Sequence, residues 1–212
     1  MIGSPEVNKV IRKVISPVLR ENGFSKVNTR NNWGYSGDSV KVFKIRSVGN
    51  YFSDVTGWPP MSVGVEIGIY YKFIPDDYPP KTDNKGNYLP QEYHCHLRSN
   101  LEIQHDQSKY AKVLDHDLER QRKDIWWIEP NGGNIEQAVN DIKAAFLKDG
   151  APWLKKYSDC KKAYDFIISE HDCYSKYLNA KYFAKYLGLE DDYKKYSKLL
   201  SNEAKRISFP DK

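Results

Sequence analysis

From Ser62 to Ile74 a hydrophobic residue holds every second position. Val63, Val65, Ile67, Ile69, Tyr71 and Phe73 hold every second place, and Ser62, Gly64, Glu66, Gly68, Tyr70, Lys72 and Ile74 hold the others. A period of two places successive side chains on opposite faces of a β-strand. The stretch therefore predicts a strand with one continuous apolar face and a second face that carries Glu66 between two glycines. Glycine inside a strand weakens it and marks a close approach of backbone, side chain or ligand. Val40 to Val48 repeats the pattern, with Phe43 and Ile45 on one side and Lys44 and Arg46 on the other. Glu92 to Ile103 reads as another strand, with Tyr93, Cys95 and Leu97 facing one way and Glu92, His94, His96 and Arg98 the other.

Elsewhere the period lengthens to that of a helix. Val7, Val10, Ile11, Val14, Val18 and Leu19 recur at three- and four-residue spacing. Ser4, Pro5 and Glu6 are suited to start this helix, and Asn22-Gly23 to stop it. Phe24 to Val27 predicts a short strand. Asn50 to Pro60 reads as turn, residues 75–91 as a long polar loop with four prolines, and Lys109 to Lys123 as a weakly patterned helix. Asn134 caps a helix whose buried face is Ile135, Val139, Ile142, Phe146 and Leu147, and Asp149-Gly150 ends it. Three further helices are predicted over 160–170, 174–187 and 191–207. The expected division is a mixed domain over 1–156 and a helical extension over 157–212, packed on or beside it.

Taken in order, these features are similar to those of a family of uncharacterised bacterial domains, domain of unknown function 4304. The likeness rests on the N-terminal helix through Pro17 and Leu19 into Gly23-Phe24, on Trp33 and on the Val63–Ile69 alternation. His96-Leu97-Arg98, Trp126-Trp127 and Ala151-Pro152-Trp153-Leu154 complete it. It covers roughly residues 5–156. The resemblance implies an α+β fold, an antiparallel sheet flanked by helices, to which the residue pattern adds the C-terminal helical extension. It implies no activity and no catalytic residues.

Composition narrows the function classes. Charged residues make up 29% and hydrophobic ones 40% of the 212, as in a soluble globular protein. No apolar run is long enough to span a membrane, and Lys9, Arg12 and Lys13 interrupt any leader-like segment. Cys95, Cys160 and Cys173 form no CxxC pair and are odd in number, which points to a reducing, cytoplasmic setting. The net charge is +5, with 13 basic against 9 acidic residues in 151–212. Those basic residues stand among eight of the 16 tyrosines. Such interleaving can serve nucleic acid, but the acids dilute it, and a helical bundle with solvated lysines is the expected reading.

The residues that could carry chemistry converge on one face. Lys44, Arg46, Glu66, His94, His96 and Arg98 all fall on the polar side of their predicted strands and form the candidate binding surface. Residues two apart in a strand stand roughly 6.6 Å apart, so His94 and His96 could meet one ion with Glu66 as the carboxylate ligand. That set would support a metal-dependent hydrolase, in which bound water becomes hydroxide. Against it, HxH is a short motif, and antiparallel sheets commonly keep one polar side for ordinary reasons. Cys95 should point away from the histidines into the core, a geometry that disfavours a Cys–His nucleophile. Asp115-His116-Asp117 places neighbours on diverging sides of a helix and reads as charged surface. No phosphate loop, GxSxG elbow or HExxH helix occurs. The expectation is a non-enzymatic protein without cofactor that recognises a protein partner, as in bacterial defence or toxin neutralisation. The metal hydrolase is the first alternative and nucleic-acid binding through the tail the second.

Overall fold

The computed structural model describes residues 2–114 and 116–208. Its first elements are α1 (Ser4–Glu21), β1 (Lys26–Val27), β2 (Asn31–Ser36), β3 (Ser39–Ser47), α2 (Asn50–Thr56), β4 (Val63–Tyr71) and β5 (Leu97–Asn100). There follow α3 (Ser108–Ala111), α4 (Asp117–Arg120), β6 (Ile125–Trp126), α5 (Ile135–Ala145), α6 (Ala151–Tyr157), α7 (Cys160–Ser169), α8 (Tyr174–Tyr186) and α9 (Glu190–Ser208). The strands form one antiparallel sheet in the order β1-β2-β3-β4-β5, and β6 pairs with the first residues of β4 beyond the end of β5. The fold is α+β, with a helical C-terminal region. Among the described residues, no helix is long and apolar enough to cross a membrane.

β4 occupies the position its alternation requires. Val63, Val65, Ile67, Ile69 and Tyr71 are all buried in one core, together with Phe43 and Ile45 of β3, Ile11 and Leu19 of α1, and Ile142 of α5. Register explains the continuity of this face: Phe43 stands beside Ile67, Ile45 beside Val65, and Ile69 beside Leu97. Phe24, Phe43 and Phe146 meet edge to face, with centroids 5.3–6.4 Å apart, a favoured aromatic geometry. The tail joins the same core through Tyr164, Ile167 and Phe183. Tyr71 is the hinge of that junction: its hydroxyl donates to the Tyr157 carbonyl at 2.5 Å, and its ring packs edge-on against Phe183 at 4.7 Å.

The second face of the sheet is divided. Near β2 it carries a smaller apolar cluster of Trp33, Val40, Val42, Tyr70 and Cys95. The 75–91 loop folds over this half: Trp33 Nε1 donates to the Pro90 carbonyl at 2.8 Å, the Tyr35 hydroxyl to that of Tyr88 at 3.1 Å, and Lys26 pairs with Asp83 at 2.9 Å. Both β4 glycines prove to be close approaches. A Cβ on Gly68 would lie 2.7 Å from the Cys95 side chain, and one on Gly64 would lie 3.2 Å from the Asp124 carbonyl oxygen. Cys95 is therefore buried as expected, but against the second face rather than in the main core.

Four local expectations give way to other structure. Glu92–His94 is a single 3₁₀ turn, and the strand is confined to Leu97–Asn100. The turn wins because the N–H groups of His94 and Cys95 bond to the carbonyls of Gln91 and Glu92, while His94 Nδ1 accepts from the Gln91 N–H at 3.0 Å. Asn50–Thr56 is helical rather than turn, entered and left through glycines at positive φ. The weak helix over 109–123 is two single turns; Asp115 lies outside the described residues, and Asp117 opens the second turn. Gly150 does not end its helix. Phe146–Gly150 forms a π-helical turn, closed by the Ala151 N–H on the Phe146 carbonyl, and passes directly into α6.

Candidate functional site

Strand parity brings five polar side chains to the uncovered half of the second face. Lys44 stands opposite Glu66, and Glu66 opposite Asn100. One step along, Arg46 stands opposite Gly64, and Gly68 opposite Arg98. Glu66 lies diagonally within reach of Arg46, whose Nε sits 3.3 Å from Oε1. Its other oxygen, Oε2, is buried and meets no donor among the described residues. Lys44 turns away from the carboxylate directly across from it and pairs with Glu92 of the 3₁₀ turn at 2.5 Å. Both members of that pair are mostly covered, so it is screened less than an exposed pair. Glu66, Glu92, Arg98, Ser99 and Asn100 line a cleft of about 260 Å³.

The histidines lie elsewhere. His96 Nδ1 accepts the Tyr71 N–H at 3.0 Å, and its ring packs on Tyr70 and Tyr71 with centroids 5.1 and 6.0 Å away. Burial pushes its pKa down to about 4, with Asp76 opposing. This imidazole is therefore neutral at neutral pH, with its proton on Nε2. His94 bonds back to its own turn and lies against Tyr93, centroids 4.3 Å apart. Both histidines face a groove of about 640 Å³ between the 74–78 segment, the 3₁₀ turn and α8, whose walls include Tyr78, Tyr93, Arg98 and Leu178.

The structure thus splits the six predicted residues. Lys44, Arg46, Glu66 and Arg98 share the strand face. His94 and His96 do not join Glu66 in one cavity, and Arg98 is the side chain that lines both. Register is the reason for His96: Asn100 stands opposite Glu66, so His96 lies four residues from that position, against Tyr70, while His94 is folded into the 3₁₀ turn. Among the described residues, no group of three His, Cys, Asp or Glu side chains could hold a metal ion. The Cys95 thiol is pushed up by burial, first of all, and by the charge of Glu92, which makes it unreactive.

Three features of this surface were not among the predicted site residues. Glu92 is the counterion of Lys44, and Asn100 shares the parity of Arg98, which was a usable signal. Tyr78 and Tyr93 are 84% and 64% exposed on the groove rim; their exposure follows from the loop's path and has no periodic signature.

A family model described as "Domain of unknown function (DUF4304)" matches residues 15–156, about two thirds of the chain. No curated protein and no solved structure matches it.

Proposed function

The chain belongs to the DUF4304 family, and we propose that it is a non-enzymatic recognition protein that binds a protein partner in the groove beside Arg98. The observation that carries this reading is the pair of tyrosines, Tyr78 and Tyr93, held largely exposed on the rim of a groove that also contains Arg98. Tyrosine and arginine are the residues that most often anchor protein interfaces, because each combines large contact area with a polar end. Large aromatics left in water beside a concave surface also call for a covering partner more than scattered single residues do. The groove supplies apolar wall from Ile74, Pro75 and Leu178 and acceptors from Asp76 and Asp77. It thereby offers both parts of an interface, an apolar centre and a polar rim. The helical extension contributes α8 as the far wall.

The polar cleft next to it supports specificity rather than catalysis in this reading. The Lys44–Glu92 pair holds the 3₁₀ turn to the sheet, and through it the placement of Tyr93. A reducing, cytoplasmic setting suits the three free cysteines.

The test is site-specific photocrosslinking in the native host. A photoreactive residue at 78 or 93 is expected to give one dominant protein adduct. The same group at Tyr51, 85% exposed and not among the residues lining the groove, is expected to give none. Equal adducts at all three positions, or none at 78 and 93, overturn the proposal.

A further inference from the structure

A second pocket lies on the other side of the sheet, between β3, the α1–β1 turn and the π-turn. It has a volume of about 480 Å³, and its walls include Phe24, Phe146, Leu147 and Leu154. That is the size range of small-molecule sites, which are mostly apolar with a few polar groups at fixed places. Its polar groups include two cations, Lys41 and Lys155, and no acid lines it among the described residues.

Lys41 is out of place by every strand rule. It shares the parity of Phe43 and Ile45, so it issues from the core face of β3, opposite Ile69 on one side and Gly34 on the other. Gly34 brings no side chain, because the Gly23 carbonyl oxygen would lie 2.7 Å from any Cβ there. The α1–β1 turn consequently sits flat against β2, and nothing from that strand covers Lys41. Among the described residues, no carboxylate or carbonyl pairs with either lysine. Burial pushes the Lys41 pKa down, with no carboxylate opposing it. A half-buried lysine without a counterion has an energetic cost that a bound anion would remove.

The pocket wall is itself unusual. Pro152 cannot donate a backbone hydrogen bond, and ahead of it the helix widens into the π-turn Phe146–Gly150. π-turns are rare and recur at functional sites. Here the turn carries Phe146 and Leu147 into the pocket and sets Lys155, one turn further on, at its mouth.

We propose that this pocket binds a small organic carboxylate with an apolar body, its carboxylate held by Lys41 and Lys155 and its hydrocarbon part lying against Phe24, Phe146 and Leu154. The site is separate from the partner groove and does not depend on it. The direct test follows amide shifts of the full chain by NMR during titration with octanoate and with 3-phenylpropanoate, using neutral 1-octanol as the control. At least one anion is expected to give saturable shifts confined to residues 22–24, 41 and 146–155, and to bind about tenfold more tightly than octanol. Lys41→Met keeps the apolar stem; it should weaken the anion about tenfold and leave octanol unchanged. Lys155→Gln lies on an exposed helix surface and cannot unfold the chain, and it should weaken the anion about threefold. Shifts that fall elsewhere, octanol binding as tightly as either anion, or anion affinity that ignores both substitutions would overturn the proposal.

Discussion

His96 should make the fold acid-sensitive in a defined window, and His96→Asn isolates the effect. In the folded protein the Tyr71 N–H points at Nδ1 from 3.0 Å, so this nitrogen cannot carry a proton without breaking that bond. Burial adds to the penalty and lowers the pKa to about 4, against an ordinary value of 6.5. The sign follows from linkage. Between these two values the unfolded chain binds a proton that the folded chain refuses, so stability is intact above pH 6.5 and is lost as pH falls toward 4. A displacement of this size corresponds to about 2 kcal/mol lost at pH 5 and about 3 kcal/mol by pH 4. Asn places its side-chain oxygen close to where Nδ1 stands, so it can accept the Tyr71 N–H and has nothing to titrate. The assay is urea unfolding followed by tryptophan fluorescence at pH 7.5, 6 and 5, using the linear dependence of stability on denaturant. Wild type is expected to be the more stable at pH 7.5, where its ring still packs on Tyr70 and Tyr71, and to lose about 2 kcal/mol of that lead by pH 5. The paired carboxylates of Asp83 and Asp124, held below the usual carboxylate range by Lys26 and Arg122, act at lower pH and are common to both proteins. A stability gap that is the same at pH 7.5 and pH 5 would refute the assignment.

Other outcomes can be checked with the same unfolding assay. Phe43→Ala opens the three-ring cluster at the centre of the core and should cost about 3–5 kcal/mol. Tyr71→Phe leaves the Tyr157 carbonyl without its donor; a loss of about 1–2 kcal/mol is expected, and none at all would mean the tail is not held there. Gly68→Ala forces a Cβ to 2.7 Å from Cys95 and should cost about 1–3 kcal/mol, whereas an ordinary exposed strand glycine would tolerate the change. Thiol labelling should proceed in the order Cys173, Cys160, Cys95. The first is exposed and its pKa is lowered by the Ser175 hydroxyl, while burial raises the other two; early labelling of Cys95 would contradict its burial against Gly68.

What the amino-acid order determined by itself was each element whose side chains must choose between oil and water. The strict alternation of β4 and the spacing of Val7, Ile11, Val18 and Leu19 in α1 admit one arrangement each, since a slip of one residue exposes the whole apolar set. The placement of Lys44, Arg46 and Glu66 on one surface followed from the same parity. Where backbone bonds rather than burial choose the conformation, the pattern was silent or misleading. The 3₁₀ turn at Glu92–His94 is held by i to i+3 bonds and by an imidazole folded back on Gln91, which takes His94 off the strand, and the register that sets Asn100 opposite Glu66 leaves His96 beside Tyr70. The π-turn arises where a proline removes a donor. Lys41 could have been noticed as a cation on the apolar parity of β3. Only the tertiary structure, however, shows that Gly34 and the α1–β1 turn leave it facing a pocket rather than a partner.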